Sequence, residues 1–161
     1  RSRGTLSEEG TYLDGIAALD HAVARGFDPS RIVLYGESLG GAVAIELARR
    51  RPCAAVVVED TFTSLADVGA AVYPWLPVRW ISRTKYASIE KVGELRVPFL
   101  VVHSPEDQLV PFDHGRRLLA AHPGPKALLE TGGGHGDGGF LQRAEWIGVV
   151  RGFLEKHVAA E

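Results

Sequence analysis

Residues 31–41 read Arg-Ile-Val-Leu-Tyr-Gly-Glu-Ser-Leu-Gly-Gly. The apolar run of this stretch, Ile32 to Tyr35, has the length of a buried strand, and the small-residue segment Ala42 to Arg51 predicts a helix that Pro52 ends. Between them, Gly36 to Gly40 match the pattern G-x-S-x-G. A serine placed between a strand and a helix in this pattern is typical of a nucleophile at a tight, strained turn. A glycine-rich turn that only packs well is the alternative interpretation.

The rest of the chain alternates between helix and strand patterns. Upstream, a predicted helix has Thr5 or Ser7 as its N-cap and ends at Gly26. Its apolar stripe consists of Tyr12, Ile16, Leu19 and Val23. Downstream, the predicted strands are Ala54–Val58, Phe99–Val102 and Lys126–Glu130, and the predicted helices are Asp67–Ala71, Phe112–Ala121 and Ala144–Lys156. The first of these strands is entirely apolar, which indicates burial on both faces. The alternation predicts a single α/β domain over residues 1–161, with a mostly parallel sheet and helices on both faces.

Composition limits the classes of function. The chain has 161 residues, 45% hydrophobic and 24% charged, with a formal net charge of -2, so no basic field draws it to nucleic acid. Its single cysteine, Cys53, excludes a disulfide framework within the chain and is interpreted as a small core residue. No apolar run approaches the roughly 20 residues of a transmembrane helix. The chain begins at Arg1 and contains no methionine, so we expect an N-terminally truncated part of a longer protein.

Two further polar residues lie where a nucleophilic Ser38 needs partners. Asp107 follows the third predicted strand and His135 the fourth, and the carboxyl ends of parallel strands meet at one edge of a sheet. A serine nucleophile requires a base, and the base requires an acid that orients it. We therefore predict that Ser38, Asp107 and His135 are catalytic. Gly36 and Gly40 should lack side chains so that neighbouring backbone can approach the turn around Ser38, called the elbow below.

Four stretches together resemble the α/β-hydrolase superfamily, and more narrowly its small, lid-poor serine hydrolases of the α/β-hydrolase domain-containing type. They are Arg31–Gly41, Val58–Leu65, Pro98–Pro111 and Gly134-His135. The resemblance implies an α/β-hydrolase fold with Ser38 as nucleophile, Asp107 as acid and His135 as base, in the family's chain order. It also implies that the backbone N–H of Leu39 binds the oxyanion. One residue departs from the family's pattern, because Ser104 stands where a glycine is usual.

The resemblance covers the later portion of that fold. The family places about four more strands before the one that corresponds to Ile32–Tyr35, and a loop among them supplies a second oxyanion N–H. We therefore expect an α/β-hydrolase fold lacking its N-terminal strands, with Ile32–Tyr35 at an open edge and one oxyanion donor missing. Loss of one such donor typically costs about 10²–10³ in rate.

Several other motifs are weaker. Gly134 to Gly139 fits the dinucleotide pattern G-x-G-x-x-G, but no second strand follows it, so we interpret these glycines as a mobile loop that lets His135 reach Ser38. Glu59 and Asp60 end the second predicted strand and are an alternative acid or, more simply, caps for the next helix. Arg49–Arg51 is interpreted as a solvated helix end. The spacing of a metal site is not found among His103, Asp113, His114 and Asp137.

Trp75, Leu76 and Trp80 lie between the second and third predicted strands, where hydrolases insert lids. They form either an apolar pocket wall for an acyl group or a helix packed on the core, and both interpretations stay open. The short segment favours short or accessible acyl substrates.

The sequence thus predicts a serine hydrolase that cleaves small carboxylic esters or thioesters through an acyl-enzyme on a Ser-His-Asp triad. This chemistry requires no metal and no organic cofactor. A serine peptidase is an alternative, because amides are cleaved by the same groups. A non-catalytic α/β-hydrolase-like fragment or interaction module is the other, because one oxyanion donor is expected to be missing. No nucleic-acid partner and no transmembrane segment are expected for this chain.

Overall fold

The computed structural model describes residues 6–72, 75, 84–137 and 143–158. Its elements in chain order are α1 (Glu8–Ala24), a 3-10 turn (Pro29–Arg31), β1 (Val33–Glu37), α2 (Leu39–Arg50), β2 (Ala55–Glu59), α3 (Leu65–Val72), α4 (Ser88–Val92), β3 (Phe99–His103), α5 (Asp113–Ala121), β4 (Lys126–Glu130) and α6 (Ala144–His157). None of the helices in these ranges combines the length and the apolar character needed to cross a membrane.

The strands form one parallel sheet in the order β1-β2-β3-β4, with β1 at one edge. Every residue of β2 and β3 is buried, because helices cover the centre of the sheet on both sides. The predicted parallel α/β architecture is confirmed, and so is the burial of the second strand on both faces. A sheet with all its strands parallel brings the carboxyl ends of β1 to β4 to one edge.

Two apolar clusters cover the two faces of the sheet. On one face, α2, α4 and α5 pack on β2 and β3 through Ile45, Val56, Val58, Val92, Phe99, Val101 and Leu118. On the other face, α6 packs on the same strands through Val57, Leu100, Val102, Val150 and Phe153. Full burial of each such side chain contributes about 1.5–3 kcal/mol to the stability of the fold. The strands β2 and β3, and the points at which the following loops begin, are therefore firmly held.

The element ends differ from the predicted ones where tertiary contacts extend or start them. β1 continues through Gly36 and Glu37, because both still pair with β2. Ser7 is the N-cap of α1 and its hydroxyl accepts a hydrogen bond from the Gly10 N–H at 3.0 Å, while the other candidate, Thr5, lies outside the described residues. The helix α4 was not predicted, since its five residues are too few to show a helical period.

A buried carboxylate, Glu46 of α2, connects three helices. It accepts hydrogen bonds from Arg49 at 2.7 Å, from Arg50 at 2.5 Å and from Lys91 of α4 at 2.9 Å, and Arg50 also pairs with Glu9 of α1. Burial raises the pKa of Glu46, but the hydrogen bonds from these cations outweigh it and lower the pKa to about 2. Arg49 and Arg51 are exposed at the end of α2, in agreement with the interpretation of a solvated helix end. These arginines are ion-paired and join α2 to its neighbours.

Candidate active site

Ser38 stands between the last residue of β1 and the first residue of α2. Its backbone has φ 50° and ψ −117°, a left-handed φ that is uncommon for residues other than glycine. The Ser38 N–H donates to the Glu59 carbonyl at 2.8 Å, and the Thr61 hydroxyl donates to the Ser38 carbonyl at 2.7 Å. Such a backbone costs about 1–3 kcal/mol, so these contacts maintain a strained turn. Strained serines at strand-to-helix turns are typical of nucleophiles.

Close packing at the elbow explains one of the two predicted glycines and corrects the other. A Cβ on Gly36 would lie 2.1 Å from the Gly40 carbonyl oxygen, so the elbow closes only when position 36 has no side chain. Apart from its chain neighbours and the backbone of its own helix, a Cβ on Gly40 would meet no described atom within 4 Å. The second crowded position is Gly41, where a Cβ would lie 2.5 Å from the Thr61 hydroxyl oxygen. Sequence reasoning missed Gly41 because Thr61 reaches it only through the tertiary fold.

The N-terminus of α2 lies directly beside the serine. Leu39 is the first residue of α2, and no described residue accepts a hydrogen bond from its backbone N–H. Two residues further on, the Gly41 N–H donates to the Ser38 carbonyl at 3.1 Å. The first N–H groups of a helix lack intrahelical partners and carry the positive end of its dipole. The Leu39 N–H is therefore available to negative charge that develops next to Ser38.

The structure brings together the three side chains that the sequence places after β1, β3 and β4. His135 Nε2 lies 3.0 Å from Ser38 Oγ, and His135 Nδ1 lies 2.7 Å from Asp107 Oδ2. Asp107 Oδ1 accepts the backbone N–H groups of Leu109 at 2.9 Å and Val110 at 2.8 Å. The Asp107 side chain is 0% exposed and that of His135 is 19% exposed. When Nδ1–H donates to the carboxylate, Nε2 is unprotonated and can accept the hydroxyl proton.

Hydrogen bonds hold the segment 131–137, which carries His135 and includes the described part of the glycine run 134–139 that was interpreted as a mobile loop. Gly133 donates its N–H to the Glu106 carboxylate at 3.1 Å, and Gly134 donates to Asp137 at 2.8 Å. Gly133 and Gly136 have φ of 95° and 73°, a region that favours glycine. The glycines thus shape a segment in which His135 already contacts both of its partners. Residues 138 and 139 of the glycine run lie outside the described ranges.

Glu59 and Asp60 do not cap α3, which corrects the preferred interpretation of this pair. The cap is the Ser64 hydroxyl, which accepts the Asp67 N–H at 3.0 Å. Glu59 is buried and accepts the Tyr35 hydroxyl at 2.6 Å across the β1–β2 pair. Burial, followed by this carboxylate, raises the pKa of Tyr35 above its usual value. The Asp60 carboxylate instead accepts the N–H groups of Ser104 and Gly136, which lie on the segments that carry Asp107 and His135.

Possible metal ligands converge at one place in the described part of the chain. Asp60, Asp107 and His135 each offer a donor atom, and these atoms lie within 4.8 Å of one another. The donors of Asp107 and His135 bond to each other at 2.7 Å rather than surrounding a common centre. The residues first weighed as ligands, His103, Asp113, His114 and Asp137, do not join this group. The arrangement is that of a histidine hydrogen-bonded to a carboxylate.

The candidate pocket residues are only partly described. Leu76 and Trp80 lie outside the described residues, and Trp75 is 76% exposed. Two further apolar side chains flank the site in the chain: Leu39, 40% exposed, follows the serine, and Leu109, 48% exposed, lies on the segment of the acid. Sequence reasoning did not single out Leu109, although its position two residues after Asp107 was a usable signal.

Comparison with known proteins places the chain among hydrolases. The sequence profile of the prolyl oligopeptidase family matches residues 5–160. An uncharacterized protein of Mycobacterium tuberculosis is 42% identical over 153 residues, which cover 94% of this chain and 54% of that protein. The α/β-hydrolase domain-containing protein WAV2 of Arabidopsis thaliana is 33% identical over 135 residues, which cover 74% of this chain and 44% of that protein.

Solved structures share the fold at low sequence identity. The acetyl xylan esterase from Paenibacillus sp. R4 superposes with a TM-score of 0.71 at 18% identity, over 91% of this chain and 52% of that one. The chain spans about half the length of the curated relatives that it matches.

Proposed function

The chain belongs to the prolyl oligopeptidase family, within the α/β-hydrolase superfamily, and we propose that it carries the nucleophile, base and acid of a serine hydrolase. In this proposal Ser38 is the nucleophile, His135 the base and Asp107 the acid, and the substrates are small carboxylic esters or thioesters. The observation that carries it is the continuous series of two hydrogen bonds, 3.0 Å and 2.7 Å long, from Ser38 Oγ through His135 to Asp107.

The proposed acylation uses these atoms in turn. Ser38 Oγ attacks the acyl carbonyl carbon while its proton passes to His135 Nε2. The carbonyl oxygen becomes an oxyanion, which accepts a hydrogen bond from the Leu39 N–H at the start of α2. Asp107 accepts Nδ1–H throughout, which fixes the tautomer of His135 and stabilises the imidazolium. As the intermediate collapses, the Nε2 proton passes to the leaving alcohol or thiol and the acyl group remains on Ser38.

Deacylation repeats the same transfers with water as the nucleophile. His135 Nε2 takes a proton from water while the water oxygen attacks the acyl carbon. The second intermediate expels Ser38 Oγ, which recovers its proton from His135, and the carboxylic acid leaves. The cycle consumes one water per bond cleaved and needs no other reactant.

The reactivity of the acyl bond supports esters and thioesters over amides. Leu39 supplies the one oxyanion donor that we assign among the described residues. Esters and thioesters are more reactive acyl compounds than amides, so their cleavage needs less stabilisation of the oxyanion. The exposed side chains of Leu39 and Leu109 offer apolar surface to a small acyl group.

A serine peptidase is the second candidate, because the matching family is named for a peptidase. Both candidates use the same nucleophile, so they differ only in the bond cleaved. Initial rates on p-nitrophenyl acetate, an acetyl thioester and an aminoacyl p-nitroanilide separate them.

We expect hydrolysis of the ester and the thioester, with little cleavage of the anilide. Ser38→Ala should lower the rate at least about 10³-fold, while the matched variant Ser30→Ala, at the 3-10 turn, should keep it. Faster cleavage of the anilide would favour the peptidase. A folded chain that cleaves none of the three substrates would favour a non-catalytic interaction module.

A further inference from the structure

We propose that Asp60 is a positioning residue that holds the loop of the acid against the loop of the histidine. Residues 104–110, which follow β3 and carry Asp107, are called the acid loop, and residues 131–137, which follow β4 and carry His135, the histidine loop. The inference rests on the proposed roles of Asp107 and His135. In this proposal Asp60 takes no part in proton transfer and does not cap a helix.

The backbone of Asp60 is held in a conformation that few residues adopt. Asp60 directly follows β2, has φ 44° and is 5% exposed. Its N–H donates to the Val102 carbonyl of β3 at 3.0 Å, which fixes it against the strand that leads into the acid loop. Aspartate and asparagine tolerate a left-handed φ better than most residues, and the strain still costs about 1–3 kcal/mol. Asp60 thus combines a buried side chain with a strained backbone next to the candidate active site.

The two carboxylate oxygens of Asp60 reach different loops. Oδ1 accepts the N–H of Ser104, the first residue of the acid loop, at 3.2 Å. Oδ2 accepts the N–H of Gly136, the neighbour of His135, at 3.5 Å. The two loops also contact each other directly, because the Ser104 hydroxyl donates to the Gly133 carbonyl at 2.5 Å. One side chain therefore links both loops to the end of β2.

The position of this link matters because His135 bridges two partners. A displacement of about 1 Å in a catalytic arrangement can lower the rate about 10²-fold. His135 must keep its contacts of 3.0 Å to Ser38 and 2.7 Å to Asp107, and these partners lie on different segments. A carboxylate oxygen of Asp60 lies within 4.8 Å of the donor atoms of Asp107 and His135, so the link stands directly beside both groups.

Three variants separate the link from general stability. Asp60→Ala removes both acceptors, whereas Asp60→Asn keeps the backbone preference and a carbonyl oxygen that can still accept the Ser104 N–H. Asp28→Ala is the matched control, because Asp28 also accepts a backbone N–H, that of Ser30 at 2.8 Å, at the 3-10 turn before β1. Each variant is examined by amide hydrogen exchange and by steady-state hydrolysis of p-nitrophenyl acetate.

In Asp60→Ala we expect the amides of Ser104 and Gly136 to exchange at least about 10-fold faster, while those of β3 stay protected. The kcat should fall about 10- to 100-fold with KM changed less than about twofold, since the substrate surface is untouched. Asp60→Asn should recover part of both losses. Asp28→Ala should behave as the wild-type chain in both measurements.

Unchanged exchange of the two loops in Asp60→Ala would overturn the proposal. So would faster loop exchange with an unaltered kcat, or a loss of protection that extends equally to β3. If the wild-type chain hydrolyses no ester, the proposed function fails, and hydrogen exchange alone then decides whether Asp60 holds the two loops together.

Discussion

Replacing Asp107 by asparagine changes the candidate site at one hydrogen bond while keeping the shape of the side chain. Asp107 Oδ1 accepts two backbone N–H groups, from Leu109 and Val110, so the asparagine carbonyl oxygen is drawn to that position. The asparagine NH₂ then occupies the other position, 2.7 Å from His135 Nδ1 in the wild-type chain, and it can only donate. His135 must accept at Nδ1 and carry its proton on Nε2. It then offers Ser38 a proton instead of taking one.

The size of the loss follows from that change of tautomer. An aspartate-to-asparagine change that traps a triad histidine in this state lowers kcat by about 10⁴, which corresponds to about 5.4 kcal/mol of transition-state stabilisation. Folding should be nearly unaffected, by less than about 1 kcal/mol, because the two backbone N–H groups keep their acceptor. A loss of activity without a loss of stability is therefore the expected signature of Asp107→Asn.

The assay pairs kcat for p-nitrophenyl acetate with urea denaturation of the same preparation. Asp113→Asn is the control, because Asp113 is an exposed aspartate in the first turn of α5. It should keep the wild-type kcat. An Asp107→Asn variant that folds normally and retains kcat within about tenfold of wild type would refute the tautomer argument.

Three further predictions concern stability and use urea denaturation. Gly36→Ala should lower the free energy of unfolding by about 3 kcal/mol, because its Cβ would lie 2.1 Å from the Gly40 carbonyl oxygen. Gly40→Ala should leave the free energy of unfolding unchanged or raise it by up to about 1 kcal/mol. Equal losses of stability in Gly36→Ala and Gly40→Ala would contradict the packing described at the elbow. Glu46→Gln should cost about 2 kcal/mol at neutral pH, because three cations lose a buried anion, and the cost should disappear as the pH falls from 4.5 towards 2. Burial lowers the pKa of His114 and His122 below 6.5, so as the pH falls the unfolded chain binds protons before the folded chain does. The free energy of unfolding should therefore decrease below pH 6.5. An increase in that range would contradict this prediction.

The sequence predicted the architecture well because the central strands carry a strong local signal. β2 consists of apolar residues up to Glu59 and β3 up to His103, and such runs between helical patterns leave few alternatives to a parallel sheet. The end of β1 was placed too early, because Gly36 and Glu37 have little strand preference and are held by pairing with β2. The helix α4 was also not predicted because tertiary contacts stabilise it: its few residues are ordered by packing on α2 and α5.

The candidate site was predictable where chemistry follows a strand directly. Ser38, Asp107 and His135 stand just beyond strand ends, and the topology alone brings such positions to one edge. The contacts between loops were not predictable. Neither the crowding of Gly41 by Thr61 nor the acceptance of the Ser104 N–H by Asp60 leaves a trace in local spacing, since both depend on how separate loops fold over one another.

Covalent labelling by a fluorophosphonate, located by peptide mass spectrometry, tests Ser38 as the nucleophile directly. Such a probe reacts with a serine whose hydroxyl a base has activated, whatever the natural substrate is. We predict one adduct, on Ser38, which disappears in Ser38→Ala and in a folded His135→Ala variant. A folded wild-type chain that stays unlabelled, or that carries its adduct on another residue, would contradict this assignment.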